Sequence, residues 1–170
     1  LNHSRAKVLI IEEDIWNGIK ELRNRFVFLK HVIVISHTHI ANSEELNYYD
    51  LIRDASTQLD TARTTSQDTA FFLFISGSTG NPKGVTHLQR SMEVAYKNYA
   101  KNILGITEED RTFSASKLFF AYGLGNGMYF PLGASASTIL LRDRPTAEHV
   151  FHTIETQKPT IFFSVSTQYG

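Results

Sequence analysis

The sequence predicts an α/β protein with a mainly parallel sheet flanked by helices. Short apolar runs rich in β-branched and aromatic residues recur at 6–11, 32–35, 71–75, 137–141 and 160–163. Each has the length and character of a buried strand. Between several of them lie segments whose apolar residues return every three or four positions, as one face of a helix does. Strands alternating with helices favour crossover connections and parallel pairing.

At 170 residues and 19.3 kDa the chain can bury a core, in one domain or two small ones. Lys+Arg and Asp+Glu both number 17, so the net charge is zero and the basic excess of a general nucleic-acid binder is missing. There is no cysteine, which excludes disulfides, thiolate zinc sites and cysteine nucleophiles and is compatible with a cytoplasmic location. No apolar run has the length of a membrane-spanning helix, and the first residues lack a signal-peptide layout. No internal repeat is visible. The chain begins at Leu1 and ends at Gly170 just after a strand, which is expected of a fragment of a longer protein.

Taken in order, residues 6–11 (Ala-Lys-Val-Leu-Ile-Ile) form the first strand. Glu12, Glu13 and Asp14 follow, with Asp14 able to cap a helix whose dipole the acids suit. An acidic metal site is the lesser alternative there. Ile15, Ile19, Leu22 and Phe26 then mark a helix face. Residues 32–35 are β-branched throughout and form the second strand. It runs into His37 and His39, a pair that could ligate a metal or sit in a solvated loop. Leu51, Ile52 and Ala55 suit a short helix, and residues 57–68 form a polar loop.

Residues 71–75 are expected to be a fully buried strand, and Val85 to His87 a brief return strand. Leu88, Met92, Ala95, Tyr99 and Ile103 share a helix face, which Gly105 ends. Residues 107–110 have a capping-box shape and suggest a short helical turn. Residues 111–115 read as a weak strand, and 137–141 as a further one. Pro145 and Thr146 start a helix with apolar face Ala147, Val150, Phe151 and Ile154, and Lys158-Pro159 ends it. Residues 160–163 are the last strand.

Two stretches carry chemistry. Ser76-Gly77-Ser78-Thr79-Gly80-Asn81-Pro82-Lys83-Gly84 follows a strand. Its glycines let the backbone approach a ligand, successive N–H groups can converge on an anion, and the hydroxyls add donors. Lys83 contributes a mobile cation, and Pro82 stiffens the turn before it. The spacing differs from the common nucleotide P-loop, which requires Ser or Thr after the lysine. Polyphosphate binding is the chemistry suggested, and a plain Gly/Ser turn is the alternative. The second stretch, Lys117-Leu118-Phe119-Phe120-Ala121-Tyr122-Gly123-Leu124-Gly125-Asn126-Gly127, resembles a dinucleotide fingerprint only superficially, because Met128 replaces the required glycine and no clear strand precedes the first glycine. Its aromatics could wall a flat apolar substrate. A packed loop-to-helix junction is the alternative, and from composition alone it is the better reading.

Residues 76–84 resemble the signature loop of the adenylate-forming superfamily of acyl-CoA synthetases, aryl-CoA ligases, adenylation domains and luciferases. Ile75 departs from it, since many members carry Ser or Thr there. With residues 113–126 and Arg144-Pro145-Thr146, the chain is similar to benzoate-type aryl-CoA ligases; many fatty-acid-type members carry His where Phe120 stands. The resemblance covers most of the chain. It implies part of the N-terminal AMP-binding domain of such a ligase, with the C-terminal domain absent from residues 1–170. It also implies a carboxylic acid substrate, ATP with Mg2+ carried on its phosphates, and coenzyme A. It assigns Ser76, Gly77, Ser78, Thr79, Gly80 and Lys83 to the ATP phosphates, with Lys83 and Thr79 as catalytic groups, and Phe120, Ala121, Tyr122 and Gly123 to the acyl pocket. No protein-bound metal is implied. The family's later motifs, including a C-terminal catalytic lysine, do not occur in these residues, so the remainder of a ligase chain is the expected partner and turnover by these residues alone is not expected. An anion-binding module and a structural fragment that self-associates through exposed apolar surface are the other classes considered. A serine hydrolase lacks its Gly-x-Ser-x-Gly elbow here.

Overall fold

The structure, a computed structural model, describes residues 1–38, 44–75 and 82–168. It divides into two units, Leu1–Arg63 and Thr64–Gly170, each with its own apolar core.

In the first unit β1 (Val8–Glu12), β2 (His31–Ile35) and β3 (Glu45–Asn47) form a parallel sheet in that order, with Val8 opposite His31 and Val32 opposite Glu45. The central strand buries Val32 and Val34 on one face, against Trp16 and Leu29. Helix α1 (Glu13–Ile19) starts directly from β1 and tightens into a 3-10 turn over Lys20–Arg25. Asp14 lies inside its first turn and the capping position is Glu12, two residues before the expected Asp14 cap. The packed face is corrected too. Trp16 is buried, with Ile19 and Phe26 beside it, whereas Ile15 and Leu22 face solvent. The indole carries the largest apolar surface available to the helix and takes the inner position. Its Nε1–H donates to Glu45 Oε1 at 2.6 Å.

Strand β3 has no apolar alternation of its own and exists by pairing with β2. Helix α2 (Tyr48–Arg53) is capped by Asn47, whose Oδ1 accepts from the backbone N–H of Tyr49 and of Asp50 at 2.9 and 3.1 Å. The helix expected around Leu51 and Ile52 is present, but both side chains are exposed and Ala55 lies beyond its end.

In the second unit β4 (Thr69–Ile75) and β5 (Lys83–Leu88) form an antiparallel ribbon. This corrects the expectation of a fully buried strand: Phe72, Phe74 and Ile75 are each about half exposed. The apolar run reflects a ribbon with both faces apolar rather than a strand inside a parallel sheet. Helix α3 (Gln89–Ala95) widens into a π turn, Tyr96–Lys101, and Ile103 of the expected face is exposed beyond it. Gly105 follows with φ of +66°. Residues 107–110 make a hydrogen-bonded turn and no helix. The Asp110 carboxylate accepts from the Thr107 N–H and hydroxyl at 2.8 and 3.1 Å, which closes the turn before a helix can propagate.

A second parallel sheet follows, ordered β7-β6-β8, from β6 (Arg111–Ser114), β7 (Ser137–Ile139) and β8 (Ile161–Phe163). The strand that looked weakest, β6, is its centre, and Thr112 and Phe113 are fully buried. Between β6 and β7 run α4 (Ala121–Leu124), a π turn (Gly125–Tyr129) and α5 (Phe130–Gly133). Helix α6 (Ala147–Gln157) returns the chain from β7 to β8. Thr146 caps it, its Oγ1 accepting from His149 N–H at 3.3 Å, and it ends at Lys158 in the left-handed conformation. Its buried residues are Val150 and Thr153, with Ile154 packed against the Phe113–Ala115–Val150 cluster. Phe151, expected on that face, is 64% exposed, and Ala147 is exposed as well. Among the described residues no helix is long and apolar enough to cross a membrane.

Candidate functional site

Parallel strands end at the same edge of their sheet, and ligands of open α/β sheets bind outside that edge. The second unit has such a crevice, of about 790 Å³. It is walled by residues that follow each of the three parallel strands: Phe119, Phe120 and Tyr122 after β6, Arg144 and Pro145 after β7, and Val165 and Thr167 after β8.

The Phe119 and Phe120 ring centroids are 4.5 Å apart. The Tyr122 hydroxyl donates to the Ser164 carbonyl at 3.2 Å, joining the aromatic wall to the segment after β8. The wall is therefore apolar and hydrogen-bonded in place, with its two phenyl rings tilted by 49° to one another. Two cations border it. Lys117 Nζ donates to the carbonyls of Leu141, Arg142 and Asp143 at 2.5, 3.0 and 2.6 Å. The three ammonium donors are directed at neutral carbonyls, and among the described residues Lys117 makes no ion pair. Arg144 makes no ion pair among the described residues. Its carbonyl accepts from Thr146 N–H at 2.8 Å and from His149 Nδ1–H at 2.9 Å, which fixes its backbone.

The close approach of α4 to this loop depends on Gly123. A Cβ there would lie 2.1 Å from the Lys117 carbonyl oxygen and 2.5 Å from that of Ser116. The Lys117 carbonyl also accepts from Phe120 N–H at 3.0 Å. Below α4 the π turn satisfies its carbonyls through the sheet. Pro131 has no N–H to offer Asn126 O, and Thr112 Oγ1 supplies the donor at 3.3 Å. Thr138 Oγ1 donates to Gly127 O at 3.0 Å. At the entry to β6, Asp110 is held below the ordinary carboxylate value, chiefly by the Thr107 N–H and then by the Thr160 hydroxyl. Burial raises the Tyr129 phenol above its ordinary value.

Of the residues expected to line an acyl pocket, Phe120 and Tyr122 line this crevice. Ala121 and Gly123 are not among its lining residues, and Gly123 is buried against the Ser116 and Lys117 carbonyls. Lys83 is exposed at the start of β5, opposite Ile75. The chain thus enters and leaves the glycine-rich stretch on paired strands. Ser76, Gly77, Ser78, Thr79 and Gly80 lie outside the described residues. His37 stacks on Tyr49 at 4.6 Å, and His39 lies outside the described residues. Among the described residues no three His, Cys, Asp or Glu side chains gather as a metal site. In the sequence Lys117 falls within the glycine- and aromatic-rich stretch and Arg144 within Arg144-Pro145-Thr146. Their spacing gave no sign that one would bond the strand after β7 and the other border the crevice.

The description "AMP-binding enzyme" matches residues 1–169. The chain belongs to this family. It is 37% identical over 170 residues to a benzoate–CoA ligase of Thauera aromatica, covering 100% of this chain and 31% of that one. The crystal structure of the anthranilate CoA ligase AuaEII in complex with anthranoyl-AMP superposes with a TM-score of 0.91 at 34% identity, over 99% of this chain and 32% of that chain. A benzoate CoA ligase from Burkholderia xenovorans superposes with a TM-score of 0.82 at 36% identity, over 98% and 32%. The chain therefore spans about a third of the length of these AMP-binding relatives.

Proposed function

We propose that these residues form part of the N-terminal domain of an enzyme that activates an aromatic carboxylic acid with Mg·ATP and transfers it to coenzyme A. The observation that carries this is the aromatic crevice at the carboxyl edge of the β7-β6-β8 sheet, in a chain of the AMP-binding family related to aryl-CoA ligases. In the first step a carboxylate oxygen attacks the α-phosphorus, forming an acyl-adenylate and releasing pyrophosphate. In the second the coenzyme A thiol attacks the acyl carbon and AMP leaves. Phe120 and Tyr122 hold the ring by apolar contact, worth roughly 25 cal/mol per Å² buried. Ser76, Gly77, Ser78, Thr79 and Gly80 receive the phosphates through backbone N–H and hydroxyl donors, while Lys83 and Thr79 stabilise charge on the departing pyrophosphate. Mg2+ arrives on the ATP. Gly123 serves the pocket by letting α4 rest on the Ser116 and Lys117 carbonyls, while Ala121 is exposed at the start of α4.

The reaction belongs in the cytoplasm, where ATP and coenzyme A are supplied, and needs the remainder of a ligase chain. The exposed apolar side chains of the β4-β5 ribbon favour self-association of the 170 residues taken alone.

Calorimetric titration of Mg·ATP tests the phosphate assignment. Lys83→Ala is expected to weaken binding by about tenfold, the loss of one charge-assisted contact. Equal affinity of the two proteins would remove Lys83 from the phosphate site.

A further inference from the structure

A second cavity of about 280 Å³ lies beside the crevice, bordered by Ser114, Leu118, Gly127, Leu140, Leu141 and Arg142. Ser116, Lys117 and Phe119 border both. Lys117 is the member of that shared wall with a fixed far end. Its carbonyl is tied to Phe120 N–H and its ammonium to the carbonyls of Leu141, Arg142 and Asp143. The side chain is thus stretched between the loop after β6 and the segment after β7. The backbone on its near side cannot retreat, since α4 already rests on the Ser116 and Lys117 carbonyls at Gly123.

We infer that Lys117, tethered across this gap with Phe119 beside it, is the specificity-determining partition that limits the crevice to single-ring aromatic acids and closes it against longer ones. The inference deepens the acyl-pocket reading above and rests on it for the substrate class. The partition itself is a property of the two cavities. The second cavity is mostly apolar at its walls, so a second ring would gain burial there once the partition opens. Lys117→Arg is not an equivalent replacement, because a guanidinium spreads its donors over a rigid planar fork, whereas the three carbonyls converge on a single nitrogen.

The test uses neutral probes first, toluene with one ring and biphenyl with two, titrated into the 170-residue protein and its Lys117→Met and Phe119→Ala variants. Both variants are expected to gain about tenfold in biphenyl affinity relative to toluene, the return on burying part of a second ring. Phe119 is 74% exposed, so its truncation opens the wall without removing core, and it covers the case in which the Lys117 variant does not fold. An unchanged biphenyl-to-toluene ratio in the folded variants would overturn the partition. Benzoate and biphenyl-4-carboxylate are then compared in the same proteins. The same shift in ratio supports the full inference. A shift for the neutral probes with no binding of either acid leaves the partition standing, overturns its role in acid selection, and refutes the acid reading of the crevice.

Discussion

At the residue scale, the tightest constraint is Gly123. An added methyl group would meet two backbone carbonyls at 2.1 and 2.5 Å, and neither can swing aside as a side-chain tip could. Gly123→Ala is therefore expected to cost about 2–4 kcal/mol of unfolding free energy, the range of core overpacking and backbone strain. Urea denaturation measures this, and a loss under about 0.5 kcal/mol, the size of an ordinary surface change, would show that α4 can lift off the loop. A second residue-scale prediction concerns acid. The folded Asp110 carboxyl titrates below its unfolded value because donors from Thr107 and Thr160 favour the charged form. Its stabilisation is complete above the ordinary aspartate value and is lost as pH falls through the lowered one. Asp110→Asn is expected to flatten that acid limb of stability; an unaltered limb would place the pH dependence elsewhere. Here the sequence was half legible. Residues 107–110 announced a local hydrogen-bonded turn, but no spacing rule says whether such a turn opens a helix or, with Thr160 arriving from far along the chain, the start of a strand.

At the scale of elements, the π turn beneath the crevice depends on a proline and two threonines. Pro131 deprives Asn126 of a helical donor, and the buried Thr112 hydroxyl replaces it. Thr112→Val keeps the shape and removes the donor, so it is expected to destabilise by about 1–3 kcal/mol, the cost of a buried carbonyl left unpaired. Thermal unfolding reads this, and a neutral result would mean that water or another group reaches Asn126. The helices and strands themselves were largely visible in the sequence. The α6 boundaries follow from Thr146 and Lys158-Pro159, and β2 follows from its β-branched run. The errors fell where tertiary context outweighs local pattern. Strand β6 looked weak because three of its four residues are polar, yet the threonine is buried to serve the π turn. Residues 71–75 looked buried on both sides, yet they belong to a two-stranded ribbon. Helix α1 turned its tryptophan inward beside Ile19 and left Ile15 and Leu22 facing solvent.

At the scale of the whole molecule, the apolar side chains left in contact with solvent set the expected behaviour. Phe72, Phe74, Ile75 and Val85 are exposed by 47, 49, 50 and 39% on one ribbon. Apolar surface gathered in this way favours association. Sedimentation velocity over a range of concentrations is expected to show reversible self-association, and a single species throughout would remove that expectation. The alternation of strands and helices was enough to give the fold class, and the order of residues in 76–84 and 113–126 pointed to the family. The crevice was less accessible to sequence reasoning, because its walls come from residues after three different strands.

The chain has a single tryptophan, and it lies in the first unit, buried at 2% exposure with its indole N–H on Glu45. Intrinsic fluorescence excited at the red edge, where tyrosine does not absorb, is therefore an address as well as a signal. It is emitted only from Leu1–Arg63. A denaturation curve followed by this emission tracks the opening of that unit's core, while circular dichroism averages over both, so the difference between the two curves tells whether the units melt together or in turn.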